Sequence, residues 1–352
     1  MIGITTTMSL QNSTIPLDRI FLLSWIEQSV LSSSAGDKAK DVVAELAQKL
    51  PEIKKLVETP QSPPHHAEGP TVESHVVRML AVLLALTDEA PAVMFEEFAR
   101  EKDLVFEWAS MLETIRSHKA FLSAYAVLHD IGKPECLKLD ADQRVHYPGH
   151  DRAGAGQPYA YARDAVMRYF ELPVSSSKMM TELIRLHMDV LTVFAKSADV
   201  QQFMAFSALA GRAGVNKDVF LDLVPACLFL DGVAGSLHSN PLENSKPSHD
   251  LAPLIHWYRA EREVMPERHN VRELNAGKGA KLALKKAYAS VGLSPEAVFE
   301  LLGTPIGPVR GEIMRSIQEL VEDPASKVDF GEHTKEIRGR AEKARVILSS
   351  PS

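Results

Sequence analysis

Residues Ala124–Pro134 read AYAVLHDIGKP. Ala126, Tyr125 and Leu122 stand three, four and seven residues before His129, the spacing of one helix face. An apolar helical run therefore ends by presenting His129 and Asp130 side by side, and Gly132 stops it. The same pattern recurs on three other stretches. His75 shares its stripe with Val72, Met79 and Val82, and His187 shares one with Leu183, Ile184, Val190, Leu191 and Phe194. Asp231 follows Val224, Cys227 and Leu228 on a third. A single histidine on an apolar face is ordinarily satisfied by a backbone carbonyl. An unpaired buried carboxylate is rare, and burying one costs several kcal/mol. Four helices that each point such a group inward predict a shared cation, which removes the desolvation cost of all four together. His150 follows the turn Tyr147-Pro148-Gly149 and opens the next helical run, where it would cap the mouth of that site. His146, four residues earlier, is a lesser candidate.

The surrounding chain shows the same helical periodicity. Amphipathic runs are predicted from Leu17 through Val30, at Asp37–Leu50, from Pro51, at Thr71–Thr87, within Pro91–Arg116, and at Lys119–His129. Others fall at Asp151–Phe170, Ser176–Lys196, Val200–Gly211 and Lys217–Gly235. The tail adds Leu251–Val264, Val271–Val291, Pro295–Leu302, Pro308–Glu322 and Gly331–Leu348. Sustained two-residue alternation is absent, so the predicted fold class is all-α. Two segments, ETPQSPPHHAEGP at Glu58–Pro70 and LHSNPLENSKPSH at Leu237–His249, have linker composition. They divide the chain into an N-terminal helical extension (1–58), a central domain carrying the ligand-type residues (59–240) and a C-terminal helical region (241–352).

The 352 residues, 45% hydrophobic and 24% charged, place the chain in the globular class, and a net charge of −7 provides no overall basic field for nucleic acid or anionic lipid. Two cysteines, Cys136 and Cys227, form no CxxC and no disulfide framework, in keeping with a reducing cytoplasm. The first residues carry no basic segment followed by an apolar one, so no signal peptide is expected, and the longest apolar run, Met79–Leu86, is far short of a membrane span.

In order along the chain, His75, His129-Asp130, His150, His187 and Asp231 resemble the HD superfamily of metal-dependent phosphohydrolases. The contexts ESHVVRML, LHDIGKP and LFLDGVAG are similar to that family's, and HHAEGPTVESH, YPGHDRAGA and LIRLHMDV resemble the HD domain of some bacterial CCA-adding tRNA nucleotidyltransferases. LLGTPIGPVRGEIM resembles the helical C-terminal region of the same enzymes. The resemblance spans roughly Pro64 to Gln318. It implies an all-helical HD core with helices added at both ends. It also implies a second ion held by His150 and His187, with Asp130 bridging. The residues look like the phosphohydrolase half without the head that adds nucleotides. The one Asp-x-Asp, Asp140-Ala141-Asp142, has no Gly-Ser before it and reads as a solvated loop, and Gly277-Lys278-Gly279 lacks P-loop spacing.

The resulting expectation is a phosphodiesterase or phosphatase acting on a nucleotide or an RNA end. His75, His129, Asp130 and Asp231 surround a first divalent ion (Fe, Mn, Ni, Co, Zn or Mg), and one or two ions are allowed. Asp130 and Lys133 carry the chemistry, and Lys133, Arg152 and Arg163 are the candidate phosphate contacts. The competing reading is an RNA- or protein-binding module whose metal site is structural. Its sequence support is two basic stretches: Lys278, Lys281, Lys285 and Lys286, then Lys335, Arg338, Arg340, Lys343 and Arg345. Both also fit ordinary solvated helix faces.

Overall fold

A computed structural model describes residues 30–31, 33–61, 70–88, 93–141, 144–235, 251–303 and 310–349. The expected helix from Leu17, both linker segments in large part, and Asp142 lie outside the described residues. The chain forms two compact units, 1–269 and 270–352. The first contains α1 (Ser34–Lys49), α2 (Pro51–Glu58), α3 (Val72–Asp88), α4 (Val93–Glu101), α5 (Val105–Ser117) and α6 (Lys119–Leu128). A short α7 (Lys133–Cys136) leads into a two-residue hairpin that pairs Lys138–Leu139 with Val145–His146. There follow α8 (His150–Ala155), α9 (Ala160–Tyr169), α10 (Ser177–Phe194), α11 (Val200–Ala213), α12 (Lys217–Gly235) and α13 (Ala252–Val264). The second unit is built from most of α14 (Pro266–Ser290), with α15 (Pro295–Leu302), α16 (Arg310–Glu322) and α17 (Thr334–Ser349). The fold is all-α.

Helix α3 is the central member of the first unit. Val72, Val76, Met79, Leu80, Leu83 and Leu86 are buried around it, and it packs against α1, α6, α5 and α12. Helix α10 packs against α8, α13 and α12. Aromatic rings pack within this core: Phe95, Trp108 and Phe229 form one cluster, and Phe194, Phe203 and Trp257 another. The unit boundary falls after His269, whereas linker composition put boundaries near 58 and 240. The apolar faces of α1, α2 and α13 explain the difference, because Val43, Leu46, Ile53, Leu56, Leu254 and Trp257 all bury in the one core.

The helix expected over Asp151–Phe170 is broken. Gly156 is extended (φ −69°, ψ 169°) and a single 3₁₀ turn, Gln157–Tyr159, separates α8 from α9. Pro158 has no N–H for a continuing ladder, which accounts for the break. In the second unit, Tyr288, Leu293, Val298, Ile317, Leu320 and Ile337 form a separate small core. Two of its arginines serve that fold: Arg338 donates to the carbonyls of Ser326 and Val328, and Arg340 to that of Gly292. Lys335, Lys343 and Arg345 are exposed. Among the described residues, no helix is long and apolar enough to cross a membrane.

One polar network lies within this apolar core. Glu107 is fully buried and accepts from Arg262 (2.7 Å) and His269 (2.7 Å), while Arg262 also pairs with Asp103 at 2.8 Å. Burial pushes the Glu107 carboxyl up, but Arg262 and His269 outweigh it and hold the group below its ordinary value. Breaking one partner of such a pair leaves an uncompensated charge. Arg262→Ala is therefore expected to destabilise by about 3 kcal/mol in urea unfolding at pH 7. A carboxyl depressed in the folded state stabilises above its unfolded value and loses that contribution as pH falls through the folded one. The acid-unfolding midpoint of the variant should consequently move to higher pH.

Candidate metal centre

Five elements place the six ligand-type side chains. His75 sits in the first turns of α3, and His129 caps the C-terminus of α6 with Asp130 next to it. His150 is the first residue of α8, reached through Gly149, whose φ of 78° suits a residue without a Cβ. His187 lies within α10 and Asp231 within α12. Gly132 brings α8 to the doublet. A Cβ on Gly132 would stand 2.1 Å from the carbonyl oxygen of His150 and 2.5 Å from the nitrogen of Gly154, so only glycine lets the two backbones meet this closely.

The side chains converge on Asp130, which is 2% exposed. Its Oδ2 lies 3.2 Å from His129 Nε2 and 2.7 Å from Lys133 Nζ. Its Oδ1 lies 3.1 Å from His150 Nε2 and 3.8 Å from His187 Nε2. The two oxygens thus face two groups, His75/His129/Asp130 and Asp130/His150/His187, and within each group the donor atoms all lie within 4.8 Å of one another. Asp231 belongs to neither trio but reaches His75, its Oδ1 standing 3.0 Å from Nε2. All six expected ligands are therefore brought to one place, Asp231 at its edge.

The hydrogen bonds settle which nitrogens face inward. Nδ1 of His129 is 3.0 Å from the Ala126 carbonyl, Nδ1 of His150 is 2.7 Å from that of Tyr147, and Nδ1 of His187 is 2.7 Å from that of Ile184. A carbonyl only accepts, so each Nδ1 carries a proton and each ring turns its Nε2 toward Asp130, where it is an N–H to the carboxylate in the metal-free site or a lone pair to a bound cation. The Nε2 atoms of His150 and His187 are 3.1 Å apart. Two lone pairs at that separation repel unless a proton or a metal cation lies between them. His129 Nε2 is likewise buried and faces Asp130 Oδ2 at 3.2 Å. These Nε2 atoms and the shared carboxylate are donors of the kind that divalent metals take. The residues fit a metal ion and could hold one.

The electrostatics agree. Burial pushes the Asp130 carboxyl up, yet His129 and Lys133 hold it well below the usual range. Asp231 is held low by the hydrogen bond and charge of His75 against its own burial. Burial lowers His187 to about 4, with Asp130 opposing and the neighbouring histidines reinforcing the fall. Burial lowers His150 as well, but its hydrogen bond to Asp130 wins and raises it. A proton on His150 is the simplest bridge when no metal is bound.

The expected phosphate contacts divide. Lys133 is buried against Asp130 and is held from behind by Gln61, whose Oε1 accepts from Nζ at 3.3 Å. The ring of Tyr147 lies 5.4 Å beneath the same ammonium, and its hydroxyl donates to the Pro60 carbonyl. Periodicity could reveal neither Gln61 nor Tyr147, since both stand in irregular segments. Arg163 has a different employment from the expected one. It is buried, and its Nη1 donates to the carbonyls of Gly154 and Gly156 at 2.7 Å each, closing the end of α8. Arg152 is exposed and faces Asp189 at 3.8 Å. His146 pairs with Asp140 on the exposed hairpin, 3.0 Å away, which takes both out of the centre. A narrow apolar slot of about 10 Å³, close to the space one water needs, runs beside His187 and Asp231 and is walled by Tyr125, Leu183, Val190 and Leu228.

No family model, no curated protein and no solved structure matches this chain.

Two outcomes follow from that geometry. Chelation followed by restoring Mn²⁺ or Zn²⁺ at about a hundred times its Kd should raise stability by about 2.7 kcal/mol, read as a higher Tm. Gly132→Ala should abolish most of that gain, because its Cβ would force α8 and His150 away. In the metal-free protein, His187 is lowered on folding, so the unfolded state binds more protons between about pH 4 and 6.5. Stability should fall as pH is lowered through that window, and His187→Gln should flatten the fall.

Proposed function

We propose that this chain is a metal-dependent phosphohydrolase of the HD type, acting on a nucleotide or RNA-end phosphoester. The observation that carries the reading is the single buried carboxylate of Asp130, its two oxygens shared between two histidine groups whose Nε2 atoms converge on it. His75, His129 and Asp130, with Asp231 behind His75, would hold a first ion, and His150 and His187 with Asp130 a second. The imidazole-rich donors favour Fe, Mn, Co, Ni or Zn over Mg. When bound, such an ion supplies Lewis-acid charge and draws the pKa of a coordinated water toward neutrality.

The remaining work falls to the chain. The carbonyls of Ala126, Tyr147 and Ile184 hold the rings of His129, His150 and His187 in one tautomer, so no reorganisation is needed when a ligand enters. Lys133 places a positive charge beside Asp130 where phosphoryl oxygens would gather, and Gln61 and Tyr147 hold that ammonium in place. The apolar walls around the centre exclude bulk water and strengthen each of these interactions.

The test is hydrolysis of bis(p-nitrophenyl) phosphate and of nucleotide phosphoesters with added Mn²⁺, Co²⁺, Ni²⁺ or Zn²⁺. Asp130→Ala should abolish turnover while the helical circular dichroism is retained. Lys133→Ala should reduce kcat by about 10- to 100-fold, the scale of a group that orients rather than ligates. A folded, metal-loaded protein inert on every phosphoester would contradict the proposal and leave the ion a structural role.

A further inference from the structure

The ammonium of Lys133 has two sets of partners, one charged and one neutral. The charged partner is Asp130, whose Oδ2 lies 2.7 Å from Nζ, with both side chains buried. The same Oδ2 faces His129 at 3.2 Å, so it belongs to the position of the first ion. An ion held there by a bond of about 2.0–2.2 Å would lie within about 5 Å of Nζ. A dication and an ammonium sharing one oxygen repel each other strongly in a site screened from water. The two therefore compete for the charge of Asp130.

The neutral set is built from a separate part of the chain. Gln61 Oε1 accepts from Nζ at 3.3 Å, and the centroid of the Tyr147 ring lies 5.4 Å from the same nitrogen, within cation–π reach. Both groups are fixed from elsewhere. Gln61 is buried and its Nε2 donates to the Thr71 carbonyl at 2.9 Å, which commits Oε1 to the ammonium. The Tyr147 hydroxyl donates to the Pro60 carbonyl, and Pro60 in turn bridges to Thr71. An acceptor and an aromatic face thus stand ready for the ammonium when the carboxylate is given to a cation. Through such an exchange the buried carboxylate is compensated at every stage, by the ammonium before and the dication after.

We propose that Lys133 is a built-in counter-ion which the first metal ion displaces from Asp130, with Gln61 and Tyr147 receiving the ammonium. The charge of Lys133 then sets the affinity of the centre for that ion. The inference rests on a cation binding at Asp130 and is independent of which phosphoester, if any, is hydrolysed.

The test is calorimetric titration of the whole chain with Mn²⁺ and Zn²⁺, with Tm read before and after loading. The proteins compared are the wild type, Lys133→Met, Tyr147→Leu and the double variant. Lys133→Met removes the charge at nearly constant length and should tighten binding of the first ion by about tenfold or more. Its metal-free Tm should fall, and its rise on loading should exceed that of the wild type. Tyr147→Leu removes the aromatic face and should weaken the first ion by about threefold or more. That loss should vanish in the Lys133→Met background, whereas a mere packing role of Tyr147 would act equally in both. Where Lys133→Met does not fold, Lys133→Gln takes its place, since it removes the charge and keeps an N–H for Asp130. Binding by the folded neutral variant that is no tighter than wild type, or equal losses from Tyr147→Leu in both backgrounds, would overturn the proposal. Absence of metal binding in every protein would overturn the metal centre and this proposal with it.

Discussion

The buried carboxylate of Asp130 is the constraint on which the rest of this structure depends. An ionised group taken out of water must be surrounded by compensating charge and donors, or it loses several kcal/mol to desolvation. Here the compensation comes from Lys133 three residues later and from the inward histidines. Delivering those side chains dictates much of the first unit's architecture. Helix α3 brings His75, α10 brings His187, and the close backbone approach at Gly132 and Gly154 brings His150. The apolar faces of these helices hold them in place, and the carboxylate sets the side chains they deliver to the centre.

Two accounts of an inward histidine usually compete: a core residue satisfied by a backbone carbonyl, or a metal ligand. In this protein the first holds for three histidines and does not displace the second. The carbonyls of Ala126, Tyr147 and Ile184 each take one ring nitrogen, and in doing so they turn the other toward Asp130. The half-satisfied ring is the preorganised one. Its second nitrogen is committed in tautomer and direction before any ligand arrives.

The all-helical class and the inward positions of His75, His129, His187 and Asp231 were legible because helix periodicity carries both. Apolar residues at spacings of three and four mark the buried face, and a ligand-type residue within that stripe is marked as buried too. The turn before His150 marked it as a member of the group but put it at the mouth of the site, whereas it is buried against Asp130 and His187. What could not be read lies where no period exists. Gln61 and Tyr147 stand in irregular segments, yet three-dimensional proximity places them around Lys133. Arg163 looked available for phosphate because sequence does not show which carbonyls an arginine finds, and it finds those of Gly154 and Gly156.

The central claim is that a metal cation shares Asp130 with the inward-facing histidines, and X-ray absorption at the metal edge tests it most directly. The protein is loaded with Mn²⁺ or Zn²⁺, and wild type is compared with Asp130→Asn. The account predicts first-shell nitrogen and oxygen at about 2.0–2.2 Å for zinc, outer-shell scattering from imidazole rings, and loss of that signature in the variant. A wild-type spectrum of hydrated ion without imidazole scattering, or one unchanged by Asp130→Asn, would contradict it.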